Sequence, residues 1–391
     1  MVGAMKPDSE ALSSGSFDRH ATDPTSDRVV LVGGDCPLGR ALLATWEAAG
    51  IAVTVIGRVL DGSATTLAGY PVIDVGHHGA VAAALGGADE LVILAASGVR
   101  DVDGSGIGLV DEGLVAAVLR SAVDQPPAHV TVMSSSLAYD RRGRQSSATP
   151  YVEDDPFGRP LALRHLPAAL AGRVRLERSA LAWGDRRRVP VAALRPVLCA
   201  SLSARGWYDR SGWRVRRVRP TPWPTVQYVH VRDVVTAVET VRSGRRRGIY
   251  NVAPDDVLDG PTIAELADRH VGIGAPNWML VALDRVRWST WWSPTPPSLV
   301  QVVSADLAVD SSALKALGWS ASHSSAEAFL VAHAPAWWPS LSARRRQDLV
   351  LGGAATVLAA LVGASGWGLT RLWRRRGRPA GGRATPASPG R

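Results

Sequence analysis

The chain has 391 residues, of which 46% are hydrophobic and 20% charged, and its 44 Lys+Arg against 35 Asp+Glu give a formal net charge of +9. That length suits one large α/β domain with additions, and that composition is enough to bury a core rather than stay disordered. Two cysteines, Cys36 and Cys199, exclude a disulfide framework and a usual zinc site, and they suit a reducing, cytoplasmic compartment.

Residues 1–27 lack an apolar core of signal-peptide type and read as a polar, disordered lead. Residues 28–34 form a short β-branched run ending in glycines, which is a buried strand followed by a tight turn. Residues 38–49 have helical spacing and stop at Gly50; residues 51–56 are the next strand. An Ala-rich helix follows at 79–86, an apolar strand at 90–96, a helix at 107–123 and a strand at 129–135. A helix over 166–183 and a strand over 189–195 complete the series. Strands that are nearly all apolar, alternating with helices, mean a parallel sheet covered on both faces. The predicted fold is a doubly wound α/β sheet over residues 28–200.

Residues 201–335 read as a smaller lobe of Trp/Pro-rich loops and short elements, some of whose strands return to the sheet. A strand-helix pair at 226–242 and a helix at 261–270 stand out in it. Residues 336–348 read as a linker. Residues 349–370 carry no charge and are about long enough to cross a bilayer core, so a membrane helix is expected there. Arginine clusters flank that segment on both sides, so flanking charge does not orient it. The tail 371–391 is basic and reads as disordered. These features place a cytoplasmic domain at the inner face of the plasma membrane. A soluble helix packed on the domain or on a second subunit is the other reading of 349–370.

The chemistry starts at the first strand-turn-helix, Val32-Gly33-Gly34-Asp35-Cys36-Pro37-Leu38-Gly39. A glycine turn between a strand and a helix offers free helix N–H groups and the positive end of a helix dipole to a phosphate. In such a turn the first glycine permits the sharp bend. A middle glycine lets backbone approach a pyrophosphate, and the last lets helix and strand pack closely. Cys36 stands at the middle position, where a side chain crowds the phosphates. The basic excess suits anionic ligands. One stretch, with Trp207, Trp213 and Arg219, interleaves aromatic and basic residues. The rest of the chain follows a nucleotide-enzyme pattern, so no nucleic-acid partner is expected.

This turn resembles the T-G-x-x-G-x-[IL]-G loop of the extended short-chain dehydrogenases, the NAD-dependent epimerase/dehydratase family, with Val32 in place of Thr and Cys36 in place of Gly. Further landmarks over residues 28–332 resemble the same family in order and spacing. They are Ile73-Asp74-Val75, Leu94-Ala95-Ala96, Glu153-Asp154-Asp155-Pro156, Leu194-Arg195-Pro196, Val229-His230-Val231-Arg232-Asp233-Val234, Tyr250-Asn251-Val252 and Leu317-Gly318-Trp319. The resemblance implies that Gly33, Gly34, Cys36, Leu38 and Gly39 face the pyrophosphate. It places Asp74 and Val75 beside the adenine, and Leu94, Ala95, Ala96 and Pro196 along the rest of the dinucleotide. Arg58 follows the second strand where NAD-preferring relatives carry an acid; an arginine there would favour the 2′-phosphate of NADP. NADP or NAD is thus the implied cofactor, with a small-molecule, nucleotide-sugar-like ligand beside it. A homodimer is the implied assembly. No metal is implied.

The family's chemistry uses a Tyr acid/base, a Lys four residues later and a Ser or Thr on the substrate oxygen. Hydride transfer at a carbinol needs a matched proton transfer, and a phenol needs a nearby cation to act as phenolate. Ser135 matches the hydroxyl, four residues before Tyr139. With Glu177 as anchor, Ala169 occupies the Tyr position and Arg173 the Lys position. Alanine transfers no proton. Arg173 can hold ribose and phosphate, but with a different geometry from Lys. Tyr151 stands before the acidic segment, too early to replace the Tyr; His165 is the candidate substitute base. Three readings stay open: a dinucleotide-binding protein acting on or sensing a nucleotide sugar, a non-catalytic sensor or scaffold at the membrane face, and an NADP-dependent reductase with an unusual proton donor.

Overall fold

A computed structural model describes residues 27–59, 66–95, 110–140, 149–158, 168–201, 218–220, 224–266, 273–290 and 306–332. The chain divides into two compact units, Met1–Ala332 and His333–Arg391. The second lies wholly outside the described residues, and with it the linker at 336–348, the apolar stretch at 349–370 and the basic tail. Among the described residues, no helix is long and apolar enough to cross a membrane.

The strands are β1 (Arg28–Val32), β2 (Ala52–Gly57), β3 (Thr66–Leu67), β4 (Tyr70–Asp74), β5 (Glu90–Ile93), β6 (His129–Met133), β7 (Val191–Pro196), β8 (Leu198–Ala200), β9 (Val218–Pro220), β10 (Tyr228–His230), β11 (Gly248–Val252) and β12 (Ile273–Ala275). The helices are α1 (Pro37–Ala48), α2 (His78–Leu85), α3 (Glu112–Ser121), α4 (Ala168–Arg187), α5 (Val231–Ser243), α6 (Gly260–Leu266), α7 (Asn277–Ser289), α8 (Ser312–Lys315) and α9 (Ser325–Ala332). Eight strands make one sheet in the order β11-β7-β6-β5-β1-β2-β4-β3. Every pair in it is parallel except the β3–β4 hairpin. Two small parallel pairs, β8 with β10 and β9 with β12, lie apart from it.

The side chains of the central strands sort by parity. Val29, Leu31, Val92, Leu94 and Met133 belong to one buried cluster, together with Leu38, Leu42 and Trp46 of α1 and Val234, Val238 and Val241 of α5. Val30, Val32, Leu91, Ile93, Val130 and Val132 belong to the other, with Val81 of α2, Leu114 and Val118 of α3, and Leu176, Ala180 and Trp183 of α4. Successive strand residues point to opposite faces, so a strand covered on both sides must be apolar at every position. The strand sequences VVLV and LVI meet that demand, and VTVM meets it except at Thr131, whose hydroxyl is hydrogen-bonded. Trp46 is fully buried, and its indole N–H donates to Glu239 Oε1 at 2.6 Å, which ties α1 to α5 on one face.

The sequence pattern does not predict the β3–β4 hairpin. Its strands are short and only half buried, with Gly69 at φ +89 in the turn and Pro71 inside β4, so no apolar run marks it. The predicted helix at 107–123 is described from Glu112, and the one at 166–183 runs a turn further, to Arg187. The sheet closes with β11, which pairs with β7 and reaches it from well beyond residue 200.

One buried polar pair sits at the opposite end of the strands from the glycine turn. His129 Nδ1 faces Glu90 Oε2 at 2.6 Å, His129 Nε2 faces the Arg246 carbonyl at 2.7 Å, and Thr131 donates to Glu90 Oε1 at 2.7 Å. Both ring nitrogens face acceptors, so the doubly protonated imidazolium is the form that satisfies both contacts.

Candidate functional site

The strand order reverses at β1, which lies between β5 and β2, with Val32 in register with both Ile93 and Ile56. In open parallel sheets the crevice for ligands lies beyond the carboxyl ends of the strands at such a reversal. The glycine turn sits there. Gly33 adopts φ +65, a conformation that costs other residues a Cβ clash. At Gly39 a Cβ would stand 2.0 Å from the Gly34 carbonyl oxygen, so only glycine lets α1 begin this close to the turn. At Gly34 a Cβ would stand 2.7 Å from Leu31 Cδ2. Leu38 is fully buried beneath.

Cys36 does not reach into the crevice. It is buried, it is the N-cap of α1, and its Sγ accepts the Gly39 N–H at 3.4 Å. Its cost to an anion is therefore a first-turn N–H already engaged, not a side chain in the way. Asp35 pairs with Arg40 at 2.8 Å on the exposed rim of the turn.

Arg58 and Asp74 meet at the ends of β2 and β4. The Arg58 guanidinium holds Asp111 with two bonds, Nε to Oδ2 at 2.7 Å and Nη2 to Oδ1 at 3.2 Å. Asp111 is the N-cap of α3: its Oδ1 accepts the Leu114 N–H at 2.9 Å, and its backbone N donates to the Ala95 carbonyl at 2.9 Å. Its bond to Arg58 holds the Asp111 carboxyl below the usual range, and the same bond raises Arg58 further. Asp74 spends both oxygens locally, accepting the Val59 and Gly76 N–H groups at 2.6 Å each, and these hold its carboxyl below the usual range. Val75 is buried beside it, its N–H on the Gly57 carbonyl.

After β5 the chain bends sharply. The N–H groups of Leu94 and Ala95 both donate to the Val32 carbonyl at 3.0 Å, and Ala95 takes φ +54. Ala96, the last residue of that motif, lies outside the described residues.

The serine run after β6 is buried throughout. Ser135 caps the short 3₁₀ turn Ser136–Ala138, with its Oγ accepting the Leu137 N–H at 3.3 Å. Ser136 donates to the Pro196 carbonyl at 3.0 Å, which fixes Pro196 against this turn. Ser134 Oγ is buried with no hydrogen-bond partner among the described residues.

Arg173 and Ala169 both lie on α4. The Arg173 side chain is fully buried, and its Nη1 donates to the carbonyls of Leu94 at 2.6 Å and Met133 at 3.1 Å. The guanidinium is thus drawn onto the carbonyl ends of β5 and β6. His165 lies outside the described residues.

Beside these positions stands a buried network that the motifs indicated only piecemeal. Arg195 and Glu177 form a two-bond ion pair at 2.6 and 3.1 Å. Arg195 Nη1 also donates to Tyr139 Oη at 2.9 Å and to the Glu153 carbonyl at 3.0 Å. Tyr139 donates to Asn251 Oδ1 at 2.7 Å, and the Asn251 N–H donates to Glu153 Oε1 at 2.8 Å. Burial pushes the Tyr139 phenol up to about 12 against the pull of Arg195. Tyr139 is therefore a neutral structural hydroxyl. Tyr151 stacks on its ring at 5.0 Å. His230 is likewise structural: its Nδ1 accepts the Arg232 N–H at the start of α5, and its ring stacks on His323 at 4.1 Å.

No protein-family model and no curated protein matches the sequence. Solved structures do match. MoeE5 in complex with UDP-glucose and NAD is 17% identical, with a TM-score of 0.55 over 78% of this chain and 96% of that one. The UDP-glucose 4-epimerase of Thermus thermophilus in complex with NAD is 16% identical, with a TM-score of 0.53 over 78% of this chain and 97% of that one. The Bordetella bronchiseptica enzyme WbmG in complex with NAD and UDP is 18% identical, with a TM-score of 0.53 over 81% and 95%. The chain shares the fold of these structures, an epimerase among them.

On this fold, two halves of the crevice differ in their fitness for a dinucleotide. The backbone half fits: at the reversal a left-handed glycine leads into a helix N-terminus, and Gly39 and Gly34 approach too closely to admit a Cβ. The side-chain half is occupied with the protein's own groups, through Arg58–Asp111, Asp74 and Arg173. Asp111 stands near the crevice and was not singled out by the motifs, because the sequence pattern places it inside the predicted helix at 107–123, whereas it is the N-cap of α3.

Proposed function

We propose that this chain binds a nicotinamide dinucleotide together with a nucleotide-sugar-like ligand, and does so without tyrosine–lysine chemistry. The observation that carries the reading is the Gly33–Gly39 cradle at the strand-order reversal, where no side chain fits between Gly39 and Gly34. Gly33, Gly34 and Gly39 would hold the phosphates, with Leu38 packed beneath them. Asp74 and Val75 would flank the adenine, and Leu94, Ala95, Ser135 and Pro196 would line the nicotinamide side. When bound, such a cofactor supplies a hydride donor or acceptor. The proton partner of that transfer has no group at position 169, where alanine stands, and Arg173 is committed to two strand carbonyls. The solved neighbours carry NAD, alone or with UDP or a UDP-sugar, which supports the ligand class.

The test is a thermal-shift titration of the full chain with NAD, NADP and UDP-glucose, read beside nicotinamide absorbance and sugar epimerisation. Saturation to a hundredfold above Kd stabilises the folded form by about 2.7 kcal/mol. That corresponds to an upward shift of about 4 °C for a unit of this size. The expected result is that shift with a dinucleotide and no turnover. Turnover at epimerase rates refutes the non-catalytic part, and no shift with either dinucleotide refutes the binding.

A further inference from the structure

Arg58 stands where an acid would select the ribose hydroxyls of NAD, and a lone arginine there selects a 2′-phosphate. This arginine is not alone. Its Nε and Nη2 are both taken by the Asp111 carboxylate at 2.7 and 3.2 Å. Asp111 arrives from the far side of the crevice. It caps α3 and donates its N–H to the carbonyl of Ala95, just beyond β5. β5 and β2 flank β1 on its two sides, so the ion pair spans the end of β1. Asp74, in register with Gly57 at the end of β2, adds a second carboxylate close enough to act on Arg58. Two carboxylates against one guanidinium leave this corner net negative. A 2′-phosphate brings a further charge of about −1.5 to −2. A ribose diol brings O–H donors, which a carboxylate accepts.

We infer that Asp111 is a specificity-determining residue: it neutralises Arg58, stands in for the acid missing from the end of β2, and makes the site select a dinucleotide with a free 2′-hydroxyl. The inference rests on the dinucleotide reading above and reverses the preference that Arg58 alone implies. The helix cap separates the two roles of Asp111. Asparagine caps a helix as well as aspartate does, so Asp111→Asn keeps α3 and removes the charge.

The experiment is a calorimetric titration of the full chain, wild type and Asp111→Asn, with NAD and NADP, together with 5′-ADP and 2′,5′-ADP as adenosine-half probes. One charge removed within about 6 Å of a phosphate in a solvent-screened site changes affinity about tenfold. Wild type is expected to bind NAD over NADP, and 5′-ADP over 2′,5′-ADP. In Asp111→Asn both ratios should move about tenfold toward the 2′-phosphorylated ligand. Adding Arg58→Ala to Asp111→Asn should then abolish that gain. Measurable binding with ratios unmoved by Asp111→Asn overturns the inference and leaves the dinucleotide reading standing. A wild-type preference for NADP overturns it also. Binding of none of the four ligands by any variant overturns both. The clasp has its own readout: a slowly exchanging Arg58 Hε proton in NMR spectra that Asp111→Asn abolishes, and its absence from wild type overturns the inference whatever binds.

Discussion

Glu177→Gln tests the buried network most sharply, because it keeps shape and removes only charge. In the wild type Arg195 and Glu177 are 3% and 2% exposed, and the pair is joined by bonds of 2.6 and 3.1 Å. Glutamine can accept one of those bonds, but its NH₂ then faces a guanidinium N–H, donor against donor. Arg195 keeps Tyr139 Oη, the Glu153 carbonyl and the Phe157 ring, whose centroid lies 3.6 Å from Cζ. None of these carries a compensating charge. Breaking one side of a buried ion pair costs about 3–5 kcal/mol, because the other charge is left in low dielectric. Urea unfolding should show that loss, and Tm should fall by about 5–7 °C. Replacing both members, Glu177→Leu with Arg195→Met, should recover most of it, since no unpaired charge remains. A Glu177→Gln protein within about 1 kcal/mol of wild type refutes the reasoning.

Two further outcomes are expected. Gly39→Ala places a Cβ 2.0 Å from the Gly34 carbonyl oxygen, so α1 must retreat from the turn. It should lose about 1–3 kcal/mol of stability by denaturation and its dinucleotide-induced thermal shift, and an unaltered shift contradicts the cradle. At His129 burial pushes the pKa down, but the hydrogen bond and charge of Glu90, with the Arg246 carbonyl, outweigh it and hold the value above ordinary. A raised folded pKa gives stability that is fully present below the unfolded value of about 6.5 and is lost as pH rises through the folded value. Unfolding free energies of wild type and His129→Gln should therefore converge as pH rises above that window, and a difference that grows with pH refutes the assignment.

Much of the sheet was legible because a doubly covered strand must be apolar at every position. The runs at 28–34, 90–96 and 129–135 announce β1, β5 and β6 for that reason. The β3–β4 hairpin was not legible, since an edge that is half wet carries polar residues, Gly69 and Pro71 without penalty. The glycine turn was legible residue by residue, because backbone geometry demands glycine at 33 and 39. The state of the side chains around it was not. Cys36 reads as an obstacle to phosphate and is in fact a buried helix cap. Arg58 reads as an anion anchor and is held by Asp111. Arg173 reads as a ribose contact and is drawn onto the carbonyls of Leu94 and Met133.

By itself, then, the sequence determined the doubly wound sheet, the position of the glycine turn and the absence of an acid/base at 169. Each of these follows from local demands: strand period, positive φ, and which side chains can carry a proton. Tertiary structure alone decided where the charged side chains spend their hydrogen bonds. Glu177 lies 18 residues from Arg195, Arg58 lies 53 from Asp111, and Arg173 lies 79 from Leu94. Those partners are chosen by the order of strands in the sheet, which brings the ends of β2 and β5 to either side of β1. A pattern along the chain carries no measure of that distance.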